Sequence, residues 1–97
     1  MRYQIIARRM SPAQNHDYRG IVEVQYRVGN DIASCRRDQM IRRLERGDTA
    51  YVSSGHAYAE VGVFDLNTSR ARRRSKYLRS YDHEDRWDDT LLTLPAF

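Results

Sequence analysis

The chain has 97 residues, 40% of them hydrophobic and 31% charged, with 17 Lys and Arg against 13 Asp and Glu. That length suits one domain, and no apolar run approaches the roughly 20 residues a membrane-spanning helix needs. The N-terminal apolar stretch is too short for a signal peptide, so a cytoplasmic location is expected.

Residues 3–10 read as a first strand centred on Ile5 and Ile6, followed by a loop at 11–17 rich in turn formers. Ile21 to Val28 alternates as a second strand, with Val22, Val24, Tyr26 and Val28 on one face, and Gly29-Asn30-Asp31 stops it. A helix is predicted from Cys35 to about Arg46, with Ser34 as N-cap and Gly47 in the left-handed position after it. Met40, Ile41 and Leu44 give it a narrow apolar stripe. Ala50-Tyr51-Val52 suggests a short strand and Ser53-Ser54-Gly55 a turn. The next strand, His56 to Phe64, sets Ala57, Ala59, Val61 and Val63 against Tyr58, Glu60, Gly62 and Phe64. After a loop at 65–69, Arg74 to Tyr81 is the last strand and places Tyr77, Arg79 and Tyr81 on one face. The order β-β-α-β-β-β predicts an α+β fold, a small antiparallel sheet of about five strands with one helix on a face. Residues 1–97 form a single domain in this reading, and 82–97 are its acidic, then apolar, closing segment.

At the C-terminal end, Lys76-Tyr77-Leu78-Arg79-Ser80, an acidic spacer and Asp89-Thr90-Leu91-Leu92-Thr93-Leu94-Pro95-Ala96-Phe97 follow one another. This pattern resembles a family of small bacterial and phage proteins catalogued as a domain of unknown function. Its members end in Tyr-Leu-Arg-Thr/Ser followed by Asp-Asn-Leu-x-x-Leu-Pro-x-Phe. The run Ser34-Cys35-Arg36-Arg37-Asp38-Gln39-Met40-Ile41, with Ala50-Tyr51-Val52 after it, is similar to the family's middle section. Thr90 stands where the family has Asn, so a role that needs a two-sided amide is not carried over. Physically, Leu91, Leu92, Leu94 and Phe97 read as a segment that closes the core, since burying each is worth roughly 1.5–3 kcal/mol.

The clearest binding signal is the basic segment Arg70, Arg72, Arg73, Arg74, Lys76 and Arg79, interleaved with Tyr77. Arginines beside aromatic rings on a sheet suit single-stranded nucleic acid, whose bases stack on the rings and whose phosphates take the charge. Arg36, Arg37, Arg42 and Arg43 on the helix would extend the patch if both share a side. A solvated loop, balanced by the acidic run Asp82 to Asp89, is the competing explanation. That run lacks the spacing and the glycine of a calcium loop, and no metal or cofactor site is expected. Trp87 within it is read as a core anchor, with an interface hot spot as the alternative.

Catalytic signals are weak. Cys35 at a helix N-terminus would have a stabilised thiolate, but a Cys–His pair with His16, His56 or His83 needs the fold to bring them together. There is no phosphate-cradling glycine loop. The expected protein is a small non-enzymatic binding or interaction module, a regulatory factor of phage or mobile-element origin. A nucleic-acid binder is the alternative. The expected partner is a protein or a second copy of the chain in a homodimer, with no membrane involved. The net charge of +4 is unevenly spread: residues 1–79 hold 16 basic and 8 acidic side chains, and residues 80–97 hold 1 and 5.

Overall fold

The structure is a computed structural model that describes residues 1–13, 15–55, 57–65 and 76–97. The chain runs through β1 (Arg2–Met10), a 3-10 helix (Tyr18–Gly20), β2 (Ile21–Val28), β3 (Asp31–Arg36) and α1 (Arg37–Glu45). It continues through β4 (Thr49–Ser54), β5 (Ala57–Asp65), β6 (Lys76–Tyr81), β7 (Trp87–Asp88) and a second 3-10 helix (Thr90–Thr93). The strands form one sheet in the order β3-β2-β1-β4-β5-β6-β7. The α+β class and the one α-helix among the described residues match the sequence reading, but the described sheet has seven strands rather than five and is mixed rather than antiparallel. No helix among the described residues is long and apolar enough to cross a membrane.

Two strands were hidden in segments read as stops or loops. β3 exists because Gly29-Asn30 is a two-residue hairpin turn: Val28 pairs with Asp31, and Gly29 takes φ +58°, the positive value a type II′ turn needs at its first central residue. Pairing then holds Ser34 opposite Gln25 and Cys35 opposite Val24, so both are strand residues and the helix starts two residues later than the Ser34 cap implied. Arg36 is the actual N-cap, and its N–H donates to the Gln39 Oε1 at 3.0 Å. β7 is formed by the segment assigned to an acidic loop. Asp82 Oδ1 accepts from the N–H groups of Glu84 and Arg86, which turns the chain so that Trp87 pairs with Tyr81 and Asp88 with Ser80.

The mixed topology follows from α1, which carries the chain from the β3 edge back across the sheet, so that β4 runs parallel to β1 at Arg2–Gln4. Further along the same edge of β1, the C-terminal residues take over. The Arg8 N–H donates to the Pro95 carbonyl at 2.9 Å, and the Phe97 N–H donates to the Arg8 carbonyl at 3.3 Å. Register shifts at Ile5/Ala7 and Arg9/Met10 mark bulges in the β1–β2 pair, which bend and twist the strand locally.

One core joins all of this. The sheet supplies Tyr3, Ile5, Ile21, Val24, Val52, Val61 and Leu78, α1 supplies Met40 and Ile41, and the C-terminal turn supplies Leu91 and Leu94. Leu44 completes the helix stripe at its margin. The closing role expected of the Leu-rich tail is therefore seen directly in Leu91 and Leu94, while Leu92 is half-buried.

Candidate binding surface

Cross-strand register assembles an aromatic surface on β5, β6 and β7. Tyr77 lies opposite Phe64, Arg79 opposite Gly62, and Tyr81 opposite both Glu60 and Trp87, and directly opposed residues share a face. Leu78 and Ser80, one step out of phase, point the other way into the core. The Trp87 ring meets Phe64 edge-on at 4.9 Å and Tyr81 at 5.6 Å. Tyr18, from the 3-10 helix between β1 and β2, packs edge-on against Phe64 at 5.3 Å and Tyr77 at 5.9 Å. Gly62 makes the close packing feasible. A Cβ there would stand 3.1 Å from Tyr81 Cε1 and 3.5 Å from Trp87 Cη2.

Arginines sit on these rings. The Arg79 guanidinium lies 4.4 Å from the Tyr18 centroid and 5.1 Å from that of Phe64, and the Arg37 guanidinium lies 5.3 Å from Tyr77. Arg37 Nη1 also donates to the Arg19 and Ile21 carbonyls, at 3.3 Å each. The Nε groups of Arg79 and Arg37 are buried without a hydrogen-bond acceptor, that of Arg37 lying 3.7 Å from Asp38 Oδ1. Asp89 Oδ1 approaches Arg79 Nη2 only to 4.0 Å.

At the other end of this face the chemistry changes sign. Tyr58 and Tyr81 flank a cleft of about 400 Å³ lined also by Glu60, Asp82, His83 and Asp85. Arg2 grips Glu60 through both guanidinium Nη atoms, at 2.7 and 2.9 Å, and stacks 4.4 Å over Tyr51. The hydrogen bonds from Arg2 hold the Glu60 carboxyl below its ordinary value, and the hydrogen bond to Glu60 raises the Tyr58 hydroxyl. A carboxylate with a lowered folded pKa contributes stability above its unfolded pKa and loses it as the pH falls through the folded value. Urea unfolding should therefore show stability falling below about pH 4.5, the ordinary Glu value here, with a shallower acid-side loss in Glu60→Gln. An unchanged acid profile in that variant would contradict the pairing.

Among the described residues, the basic side chains anticipated as one patch contact different partners. Arg70, Arg72, Arg73 and Arg74 lie outside the described residues. Lys76 pairs with Glu45 at the end of α1, at 2.6 Å. Of the helix arginines, Arg36 is exposed beside the sheet edge and Arg37 is directed onto Tyr77. Arg42 Nε folds back to the Asp38 carbonyl, whereas Arg43 lies 5.4 Å from both Tyr3 and Tyr26 and donates to the Tyr26 hydroxyl at 2.9 Å. Arg79, Tyr77 and Tyr81 do share a face, as the alternation implied. Phe64, Gly62 and Tyr18 were missed as their neighbours. The signal for two of them was already in β5, whose second face reads Tyr58, Glu60, Gly62, Phe64. Trp87 is no core anchor: it remains 40% exposed.

Cys35 does not open the helix as expected: it lies within β3, two residues before α1 begins. Burial pushes its thiol above the ordinary value, outweighing the opposing charge of Arg43. Among the described residues, no group of three His, Cys, Asp or Glu side chains is placed to hold a metal ion. No family model, curated protein sequence or solved structure matches the chain.

Proposed function

We propose that the chain is a small non-enzymatic binding module that holds its partner on the aromatic–arginine face of β5–β7. The observation that carries this reading is the exposed Trp87 ring, fixed edge-on between Tyr81 and Phe64 above Gly62. A rigid aromatic anchor at the surface is the side-chain type that dominates binding energy at interfaces. The likeness of the C-terminal motif to small bacterial and phage proteins is the basis for reading the module as a regulatory or interaction factor with a protein partner.

Nucleic acid is the second reading, favoured by Arg79 lying over Tyr18 and Phe64 on the face that Tyr77 and Tyr81 share. Bases would stack on the rings while guanidinium groups take phosphate oxygens.

Trp87 is the only tryptophan, so its emission reports directly on this face. Under the second reading, titration with oligo(dT) or oligo(U) quenches Trp87 emission at low salt and loses affinity steeply at moderate salt; no change at low salt overturns it. Under the first, the protein captures a stoichiometric partner from nuclease-treated bacterial lysate, and Trp87→Ala weakens that capture at least tenfold. Equal capture by the variant removes this face from the proposal.

A further inference from the structure

We propose that the chain self-associates through β3, pairing antiparallel with β3 of a second copy about a two-fold axis at Ala33. The inference is independent of the ligand face and rests on which backbone groups the fold leaves open. Val28 and Asp31 close a two-residue hairpin, and pairing continues without a shift to Glu23 and Arg36. Asp31, Ala33 and Cys35 therefore exchange hydrogen bonds with β2, and Ile32, Ser34 and Arg36 turn their N–H and C=O groups outward. The Arg36 N–H is already taken by the Gln39 side chain. Among the described residues, that leaves Ile32 and Ser34 of β3 with complete donor–acceptor sets unpaired.

One register satisfies both. With Ile32 opposite Ser34 of the second copy, each strand completes the other, and the two-fold passes through the Ala33 pair. This is the self-complementary contact an isologous dimer requires. The charges favour it as well, since Asp31 at one end of the strand and Arg36 at the other give an antiparallel pair opposite charges at neighbouring ends. Edge strands usually carry a charge, a proline or a bulge that blocks such pairing. Ile32-Ala33-Ser34 carries none, and Ile32 is 53% exposed. The competing edges among the described residues are short, charged or covered: β7 has two residues, the stretch of β6 beyond it carries Lys76 and Arg79, and the second half of β1 is bonded to residues 95–97.

The test is the mass in solution by light scattering and sedimentation over a concentration series. The expected species is twice the 11.5 kDa of one chain, and Ser34→Pro, which removes only an outward N–H, should return it to a monomer with an unchanged circular dichroism spectrum. Ile32→Lys should do the same if the proline variant fails to fold. In a Cys35→Ala background, Ala33→Cys should form an intermolecular disulfide on mild oxidation, because a non-hydrogen-bonded pair brings Cα atoms to about 4.5 Å. Ile32→Cys, two positions out of self-register, should not. A monomer at millimolar concentration, a dimer indifferent to both edge variants, or faster cross-linking at position 32 than at 33 would each overturn the proposal.

Discussion

Leu91→Ala is expected to lower the unfolding free energy by about 2–5 kcal/mol, the range for truncating a buried leucine. Leu91 is 1% exposed and sits in the C-terminal 3-10 helix that packs on β4, β5 and β6. Against the 5–15 kcal/mol that stabilises ordinary domains, such a loss brings the chain close to unfolding at room temperature. The neighbouring Leu92 is half-buried, so Leu92→Ala should lose markedly less. Paired urea titrations of the two variants measure the contrast. Equal midpoints for both would mean that the closing segment does not hold Leu91 in the core.

Ser80→Ala is the second large effect, for a different reason. Ser80 is the one fully buried polar side chain among the described residues, on the core side of β6. Its Oγ accepts from the Leu91 N–H at 3.0 Å and donates to Asp88. Removing the hydroxyl strands a buried N–H and deprives the Asp88 carboxylate of a donor, a penalty of about 1–3 kcal/mol. Ser80→Thr keeps the oxygen and should retain more of the stability than Ser80→Ala. If alanine were tolerated and threonine were not, packing rather than hydrogen bonding would be the function of this position. The bond also gives a physical reason for the spacing between the Tyr-Leu-Arg-Ser segment and the Leu-rich tail: the hydroxyl of one pins the backbone of the other.

Local signals in the sequence were read correctly wherever the local preference and the sheet agreed. Ile21–Val28 is recovered to the residue, and the alternation of β5 and β6 groups Ala59 with Val61 on one face and Tyr77 with Arg79 and Tyr81 on one face, as the structure has them. The errors lie where pairing partners decide. Ser34 has the chemistry of a helix cap, but its strand pairing with Gln25 prevails. β7 has two residues, too few to show a period, and exists only because Asp82 folds the chain back onto β6. Trp87 reads from sequence as a core anchor or an interface hot spot, and its place opposite Tyr81 puts it on the outer face. The arginines show the same limit. Composition counts them, but only the fold separates Arg43, placed on Tyr3 and Tyr26, from Arg79, which lies over Tyr18 and Phe64 of the aromatic face.

The bonds between Arg8 and residues 95–97 bear on how fast the chain can fold. They join positions near opposite extremes of the sequence, and the parallel β1–β4 pair adds another distant closure. Such non-local pairings delay the reward for ordering the backbone and place folding in the slower, millisecond-to-second regime of sheet proteins. The β2–β3 hairpin, closed by two residues, can form early. The C-terminal turn must wait for β4, β5 and β6 to exist before Leu91 has anything to pack against. Weakening that turn should therefore act mainly on the unfolding rate, making the last-docked segment the clasp that sets the lifetime of the native state.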